Sequence, residues 1–299
     1  MPFMSPIQFF GEFFRMSDYR GQVKGLVLDW SGTTADAYVI APAVVFAEVF
    51  RNQGVEISMN EARGPMGLRK DLHIEQLTLD PVIRERWQAV HGRYPDQSDV
   101  DRMFGDFVSA QVACLPQYTD LLPEVAEVTQ RMQQQGIRIG VSTGFTRVMV
   151  DVLLEAAIKQ GFTPDATVAG DEVLNGARPK LLMVYRNLDL LEIWPIESVV
   201  KVDDTVGGVG EGLNADCWAV GVSRYSNYML INSLEESASL SEDEIQRRVS
   251  ISSQKLREAG AHYVIESIAD IEGYPCPTGL WRKALIHLTA AVWTPCLGC

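Results

Sequence analysis

QVKGLVLDWSGTT, residues 22–34, is the stretch that decides the predicted fold. It begins with a short apolar run between polar residues, which is typical of a strand buried on both faces of a parallel sheet. The run ends at Asp29 and Trp30, and a polar turn that begins with Ser31 follows. Further along the chain, helical patterns alternate with short apolar strands, and this alternation predicts right-handed βαβ units. We therefore predict an α/β fold built on a parallel sheet.

The alternation is interrupted by a segment that favours helices alone. Its helical patterns lie at residues 46–57, 70–79 and 100–113, and no clear strand separates them. We therefore expect a helical domain, residues 41–122, inserted into a core domain formed by residues 22–40 and 123–272. An N-terminal extension, residues 1–21, and a C-terminal tail, residues 273–299, complete this predicted division.

The other elements of the predicted core follow from their apolar periodicity. Strands are predicted at residues 137–142, 166–169, 199–202, 217–222 and 263–265. Helices are predicted at residues 123–135, 147–160, 179–190 and 242–259. The glycine-rich run GGVGEG, residues 207–212, follows a late strand but lacks the spacing G-x-G-x-x-G, so we do not expect dinucleotide binding there.

The composition argues against several classes of function. The formal net charge of the 299-residue chain is −13. A surface of that sign repels nucleic acid and anionic membranes, so we expect neither as a partner. No apolar stretch reaches the roughly 20 residues needed to span a bilayer, and the N-terminus lacks the features of a signal peptide. The five cysteines are odd in number and widely scattered, which argues against a disulfide framework and favours a cytoplasmic setting.

Polar residues follow three of the predicted strands at the point where each strand ends. Asp29 ends the first, Thr143 lies in the turn Ser-Thr-Gly after the second, and Asp203 and Asp204 end the fourth, with Arg178 before that strand. Ligands of open parallel sheets bind at this edge. Each residue alone is more often a cap, a turn residue or a surface cation. Their order and spacing in one chain predict a site.

The same residues resemble the four motifs of the haloacid dehalogenase superfamily. The matching segments are DWSGT at 29–33, STG at 142–144, Arg178, and KVDDT at 201–205. The resemblance implies a Rossmann-like parallel-sheet core, with the helical insert as a cap domain. It also implies hydrolysis at phosphorus with Asp29 as the nucleophile. Mg²⁺ would be the cofactor, bound by Asp29, the main-chain carbonyl of Ser31, and Asp204.

Within that superfamily the chain resembles the phosphonoacetaldehyde hydrolase family, also called phosphonatases. The specific segments are DWSGTT at 29–34, EARGPMGLRK at 61–70, STGFTR at 142–147 and ARP at 177–179. The resemblance implies cleavage of a P–C bond through a Schiff base on Lys70, with His73 near it as a catalytic residue, and a homodimer. The residues that would bind the small phosphonate substrate are Thr33, Met66, Thr143, Gly144 and Arg178.

Ser31 separates the alternative functions. Phosphatases of the superfamily carry an Asp two places after the nucleophile, which protonates the leaving oxygen; this chain has Ser31 there. A protonated imine on Lys70 can instead accept the electrons of a P–C bond. Two alternatives stay open from the residues: a phosphate-monoester phosphatase or phosphomutase, and a catalytically impaired homologue with a binding role.

Three positions depart from the family pattern. A second motif IV Asp is expected four residues after Asp204, and Gly208 stands there. Asp203 replaces a usual glycine and could compensate, although neighbouring side chains of a regular strand point to opposite faces. Phe145 stands where a tyrosine is usual. With one carboxylate fewer, we expect weaker Mg²⁺ binding.

Overall fold

The computed structural model describes residue 19, residues 21–175 and residues 178–273. The predicted N-terminal extension and C-terminal tail lie almost wholly outside these residues, as do Ala177 and three of the five cysteines. Within the described residues, no helix combines the length and the apolar composition that crossing a lipid bilayer requires.

A six-stranded, fully parallel sheet forms the centre of the structure. Its strands are β1 (Gly25–Leu28), β2 (Arg138–Ser142), β3 (Ala166–Val168), β4 (Val199–Asp203), β5 (Trp218–Val222) and β6 (Tyr263–Ile265). They lie in the order β3-β2-β1-β4-β5-β6. The direction of winding reverses beside β1, which pairs with both β2 and β4. This topological switch point is where a Rossmann-like sheet places its ligand site, and the predicted fold class is confirmed.

Helices cover both faces of the sheet, so that β1 is completely buried. Leu26 and Leu28 belong to the main apolar cluster, whereas Val27 between them packs with Val184 and Leu191 in a second cluster. The helices that follow the insert are α6 (Val125–Gln134), α7 (Arg147–Lys159), α8 (Leu182–Leu191), α9 (Val206–Asn214), α10 (Leu234–Ser239) and α11 (Glu242–Glu258). The apolar run in residues 22–30 is thus explained by burial on two faces.

Of the α-helices between β1 and β2, five lie in the segment predicted to be helical. They are α1 (Ile40–Asn52), α2 (Met59–Arg63), α3 (Lys70–Leu79), α4 (Pro81–His91) and α5 (Gln97–Cys114). Their interior is aromatic: the Phe46 ring stacks on Phe107 at 4.3 Å between centroids, and Phe50 meets Trp87 edge to face. The assignment of residues 41–122 as a separate cap domain stays a prediction.

Several predicted element boundaries are wrong, for identifiable reasons. The first helix begins at Ile40 rather than residue 46, because Pro42 is tolerated in a first turn. α4 was not predicted, since only Ile83 and Trp87 of its eleven residues are buried. α9 was not predicted either, because its glycine content is high; Thr205 caps it by accepting a hydrogen bond from the Gly208 amide. α8 begins at Leu182, not at residue 179.

Candidate active site

The ends of β1, β2 and β4 bring the predicted site residues together. Asp29, Thr143 and Asp204 follow these three strands and line one small cavity, and the loop before α3 closes its other side. The lining residues are Asp29, Ser31, Val39, Met66, Gly67, Leu68, Lys70, Thr143, Gly144, Phe145, Arg178, Asp204 and Thr205. The cavity therefore lies between the sheet edge and the helical insert.

Arg178 is buried at the floor of this cavity and is held by several acceptors. Its guanidinium lies 2.9 Å from Asp29 Oδ1, 3.3 Å from Asp203 Oδ2 and 3.1 Å from Glu211 Oε2. It also donates a hydrogen bond to the Ser142 carbonyl. Burial lowers the pKa of Arg178, but the surrounding carboxylates outweigh burial and raise this pKa well above its ordinary value. The side chain is thus a fixed cation beside Asp29.

Three buried carboxylates meet next to Arg178. One oxygen from each of Asp29, Asp203 and Asp204 lies within 4.8 Å of the other two. Asp204 Oδ2 accepts a hydrogen bond from the Asn227 amide at 2.8 Å, whereas Asp204 Oδ1 has no hydrogen-bond partner among the described residues. Burial, with the charges of Asp203 and Asp29, raises the pKa of Asp204 well above its ordinary value. Hard oxygen ligands of this kind suit a divalent cation, so the cluster could hold a metal.

Lys70 lies across the cavity from these carboxylates, at the first residue of α3. Only 5% of the residue is exposed. Its ammonium lies 4.6 Å from the centroid of the Phe145 ring and 5.8 Å from that of Phe46. Burial lowers the pKa of Lys70 to about 8, with the charge of Asp29 opposing the shift. The free amine of this lysine is therefore far more available near neutral pH than that of an exposed lysine.

Two glycines allow the insert to approach the sheet edge closely. A Cβ on Gly144 would lie 2.7 Å from the Leu68 carbonyl oxygen, and a Cβ on Gly67 would lie 2.6 Å from Thr205 Oγ1. Gly67 also has a φ of +99°, a conformation that favours glycine. The segment that carries Met66 and precedes Lys70 is therefore fitted directly against the turns after β2 and β4.

Proteins that are similar to this chain in sequence are known. A phosphonoacetaldehyde hydrolase from Syntrophobacter fumaroxidans is 42% identical over 256 residues, which cover 86% of this chain and 92% of the relative. The chain belongs to the phosphonoacetaldehyde hydrolase family. A search against protein-family models finds no match.

Two solved structures agree with this phosphonoacetaldehyde hydrolase fold. A phosphonoacetaldehyde hydrolase-like protein from Oleispira antarctica aligns with a TM-score of 0.84 and 37% identity, covering 88% of this chain and 94% of that one. A haloacid dehalogenase-like hydrolase from Bacteroides fragilis aligns with a TM-score of 0.60 and 15% identity, covering 84% of this chain and all of that one. The second likeness concerns the fold alone. The resemblance to the phosphonoacetaldehyde hydrolase family is confirmed.

Two residues that the phosphonoacetaldehyde hydrolase resemblance suggested do not line the cavity. Thr33 is buried and is absent from the lining. His73 is also absent from it: its Nε2 lies 2.8 Å from the Ala62 carbonyl oxygen, and its ring stacks on Phe46 at 3.7 Å. Burial and the neighbouring Lys70 lower the pKa of His73 well below its ordinary value. His73 thus packs α3 against α1 and α2, and its role as a catalytic residue stays a prediction.

Sequence reasoning missed a buried ionic network beneath the site. Lys201 lies 2.8 Å from Asp203 Oδ2 and 3.7 Å from Glu211 Oε2, and Ser142 Oγ donates to Glu211 at 3.1 Å. Lys201 and Glu211 are fully buried. The only signal in the sequence was a lysine inside a short apolar strand and a glutamate inside a glycine-rich segment, and charged residues rarely lie fully buried unless they are paired.

Proposed function

We propose that this chain hydrolyses the P–C bond of phosphonoacetaldehyde to acetaldehyde and phosphate, through an imine on Lys70 and an aspartyl phosphate on Asp29. The observation that carries the proposal is a buried lysine of lowered pKa that faces a carboxylate and an arginine across one small cavity. A free amine is needed to attack an aldehyde, and burial supplies it near neutral pH.

Lys70 would solve the problem of the leaving group. Its amine adds to the aldehyde carbon and water leaves, which gives an iminium. When the P–C bond breaks, its electron pair moves into the neighbouring carbon–carbon bond and the iminium becomes an enamine. Protonation at carbon and addition of water then release acetaldehyde and the free amine. A carbon leaving group handled in this way needs no acid, which accounts for Ser31 two residues after Asp29.

Asp29 would attack phosphorus, and the residues around it would bind the phosphonate. Its carboxylate attacks as the P–C bond breaks, and water later hydrolyses the acyl phosphate. Arg178 already lies 2.9 Å from Asp29 and offers planar donors to phosphonate oxygens. Thr143 and Gly144 line the same cavity just before α7, and an anion is favoured near a helix N-terminus. Met66 would contact the carbon end of the substrate.

Mg²⁺ is the cation that we infer for the carboxylate cluster. Asp29, the Ser31 carbonyl and Asp204 would hold it, and it would reduce the repulsion between the anionic nucleophile and the anionic substrate. The unpartnered Asp204 Oδ1 fits such a role, because buried oxygens are rarely left without a partner. We also infer a cytoplasmic homodimer; light scattering of the purified chain tests the oligomeric state.

Phosphate release and trapping test the proposal together. We expect Mg²⁺-dependent release from phosphonoacetaldehyde that is lost in Lys70→Ala and in Lys70→Arg, because arginine keeps the charge but forms no such imine. Borohydride added with the substrate should reduce the imine to a stable secondary amine. In the wild type, the peptide that contains Lys70 should then carry a two-carbon adduct. The matched control is Lys159→Ala, since Lys159 lies on the surface at the end of α7 with 70% of its side chain exposed.

Two results would contradict the proposal. Phosphate release in Lys70→Ala at the wild-type rate would show that no imine is needed. Turnover of phosphate esters in preference to phosphonoacetaldehyde, again independent of Lys70, would point to the phosphatase alternative.

A further inference from the structure

The side-chain position of Gly208 is filled by another residue. A Cβ built on Gly208 would lie 1.8 Å from Asp203 Cγ, and 1.9 Å and 2.1 Å from its two carboxylate oxygens. Separations this short mean that the Asp203 carboxyl group occupies the volume that a residue-208 side chain would enter. The two positions are five residues apart along the chain but share one place in the structure.

Asp203 reaches this place because the strand ends there. Asp203 is the last residue of β4, and Asp204 lies outside the strand. The alternation of a regular strand therefore does not separate the two side chains. Their carboxylates lie together, each with an oxygen within 4.8 Å of the other and of Asp29.

The Asp203 carboxylate is rigidly held. Oδ1 accepts hydrogen bonds from the Thr205 amide at 3.0 Å and from Thr205 Oγ1 at 2.7 Å. Oδ2 lies 2.8 Å from Lys201 Nζ and 3.3 Å from Arg178 Nη1. The same Thr205 hydroxyl accepts from the Gly208 amide at 3.1 Å, so one side chain links Asp203 to the first turn of α9.

The surrounding charges leave room for a divalent cation. Four buried carboxylates, from Asp29, Asp203, Asp204 and Glu211, face two buried cations, Arg178 and Lys201. Negative charges exceed positive ones by two in this group, and the buried ammonium of Lys70 across the cavity offsets one of them. At least one negative charge is therefore unmatched, and Asp204 Oδ1 has no partner among the described residues. Buried carboxylates are normally paired or bound to a metal.

We propose that Asp203 supplies the third carboxylate of the cation site, in the place that Gly208 leaves open. The inference rests on the cation-binding part of the proposed function and adds a residue to it. It predicts that Gly208 does not impair the site, because the missing carboxylate enters from the end of β4 instead of from α9.

Mn²⁺ binding to the full chain tests this inference without any substrate. Mn²⁺ is titrated into the protein, and the concentration of free Mn²⁺ is measured from its electron paramagnetic resonance signal. We expect Asp203→Asn to weaken binding by at least about 10-fold, because a loss of about 10- to 100-fold is usual even for residues that only orient the metal ligands. Glu211→Gln is the matched control: it removes one charge from the same network but lies outside the three-carboxylate cluster, so we expect a smaller loss.

A transposed variant separates loss of the carboxylate from loss of the fold. Asp203→Gly combined with Gly208→Asp moves the carboxylate to α9, and we expect Mn²⁺ affinity within a few-fold of wild type. Gly208→Asp alone should lower the melting temperature, since its side chain enters the space that Asp203 fills. Asp203→Gly alone should bind weakly.

The outcomes decide the inference independently of catalysis. Wild-type binding that is lost in Asp203→Asn and regained in the transposed variant supports it, even if phosphonoacetaldehyde is not hydrolysed. It is overturned if wild type binds no Mn²⁺. It is also overturned if folded Asp203→Asn binds as tightly as wild type while Asp204→Asn does not, which would make Asp203 only an anchor for Arg178 and Lys201.

Discussion

Replacing Lys70 by methionine should stabilise the protein at neutral pH while it abolishes the proposed chemistry. The ammonium of Lys70 is buried, and its pKa falls from 10.5 to about 8. Each pKa unit corresponds to about 1.4 kcal/mol, so carrying this proton in the folded state costs about 3 kcal/mol. Methionine is similar in length and carries no charge. The contact of the ammonium with the Phe145 ring is also lost, and it is worth about 1 kcal/mol, so we expect a net gain of about 2 kcal/mol.

The size of this stability gain depends on pH in a defined way. Below about pH 8 both the folded and the unfolded chain carry the proton, and the whole penalty is present. Between about pH 8 and pH 10.5 only the unfolded chain keeps it, so the stability of the wild type rises with pH. Above pH 10.5 neither state is protonated and the penalty is gone. The advantage of Lys70→Met should therefore shrink as the pH rises.

The assay is urea unfolding of the metal-free protein at pH 7 and at pH 9.5, with EDTA present. Lys159→Met is the matched control, because Lys159 lies on the surface and its replacement should change the free energy of unfolding little at either pH. A Lys70→Met protein that is no more stable than wild type at pH 7 would refute the reasoning, since it would mean that the ammonium is not destabilised by burial.

Three further changes test other parts of the structure. The value of kcat/KM for phosphonoacetaldehyde should rise with pH up to about 8 and then level off, because only unprotonated Lys70 attacks; a flat profile from pH 6 to 9 would contradict this. Gly67→Ala should destabilise the protein by about 2 kcal/mol in thermal unfolding, since φ is +99° and its Cβ would lie 2.6 Å from Thr205 Oγ1. Gly105→Ala, in open space within α5, should instead be neutral or stabilising. Arg63→Met should lower the free energy of unfolding in urea by about 3 kcal/mol, because buried Arg63 donates hydrogen bonds to the carbonyls of Tyr38 and Ile231. An unchanged urea midpoint would show that water replaces Arg63 as the donor to these two carbonyl oxygens.

The sequence was sufficient for those site residues that follow strands or stand in specific motifs. Asp29, Thr143 and Asp204 could be placed together, because parallel strands end at one edge of a sheet. Lys70 lies 41 positions from Asp29 in a segment without strands, and no periodicity indicates where it folds; only the resemblance of the PMGLRK segment did so. His73 illustrates the opposite case. Its spacing from Lys70 put both on one helix, but spacing does not say that Phe46 and the Ala62 carbonyl take up its ring.

The contacts of the buried charged residues could mostly not be predicted. Lys201 and Glu211 lie in sequence contexts that suggest a strand and a flexible loop, and only the packing of α9 against β4 and β5 makes them partners. Gly212 permits that packing, since a Cβ there would lie 2.9 Å from Lys201 Cβ. Such networks depend on distances of a few tenths of an ångström, which a hydrophobic pattern does not encode.

The steric overlap between side chains at positions 203 and 208 predicts which residue pairs other members of the family carry there. Because a Cβ at position 208 would lie 1.8 Å from Asp203 Cγ, a side chain at 208 excludes Asp203 from its present conformation. Close-packed interiors do not absorb an overlap of that size. We therefore expect phosphonoacetaldehyde hydrolases with a carboxylate at the position of Asp203 to carry glycine at the position of Gly208, and those with Asp at 208 to carry glycine or another small residue at 203. An alignment of the family measures this directly. Frequent occurrence of Asp at both positions would show that the two side chains can share the space and that the conformation of Asp203 is not fixed by Gly208.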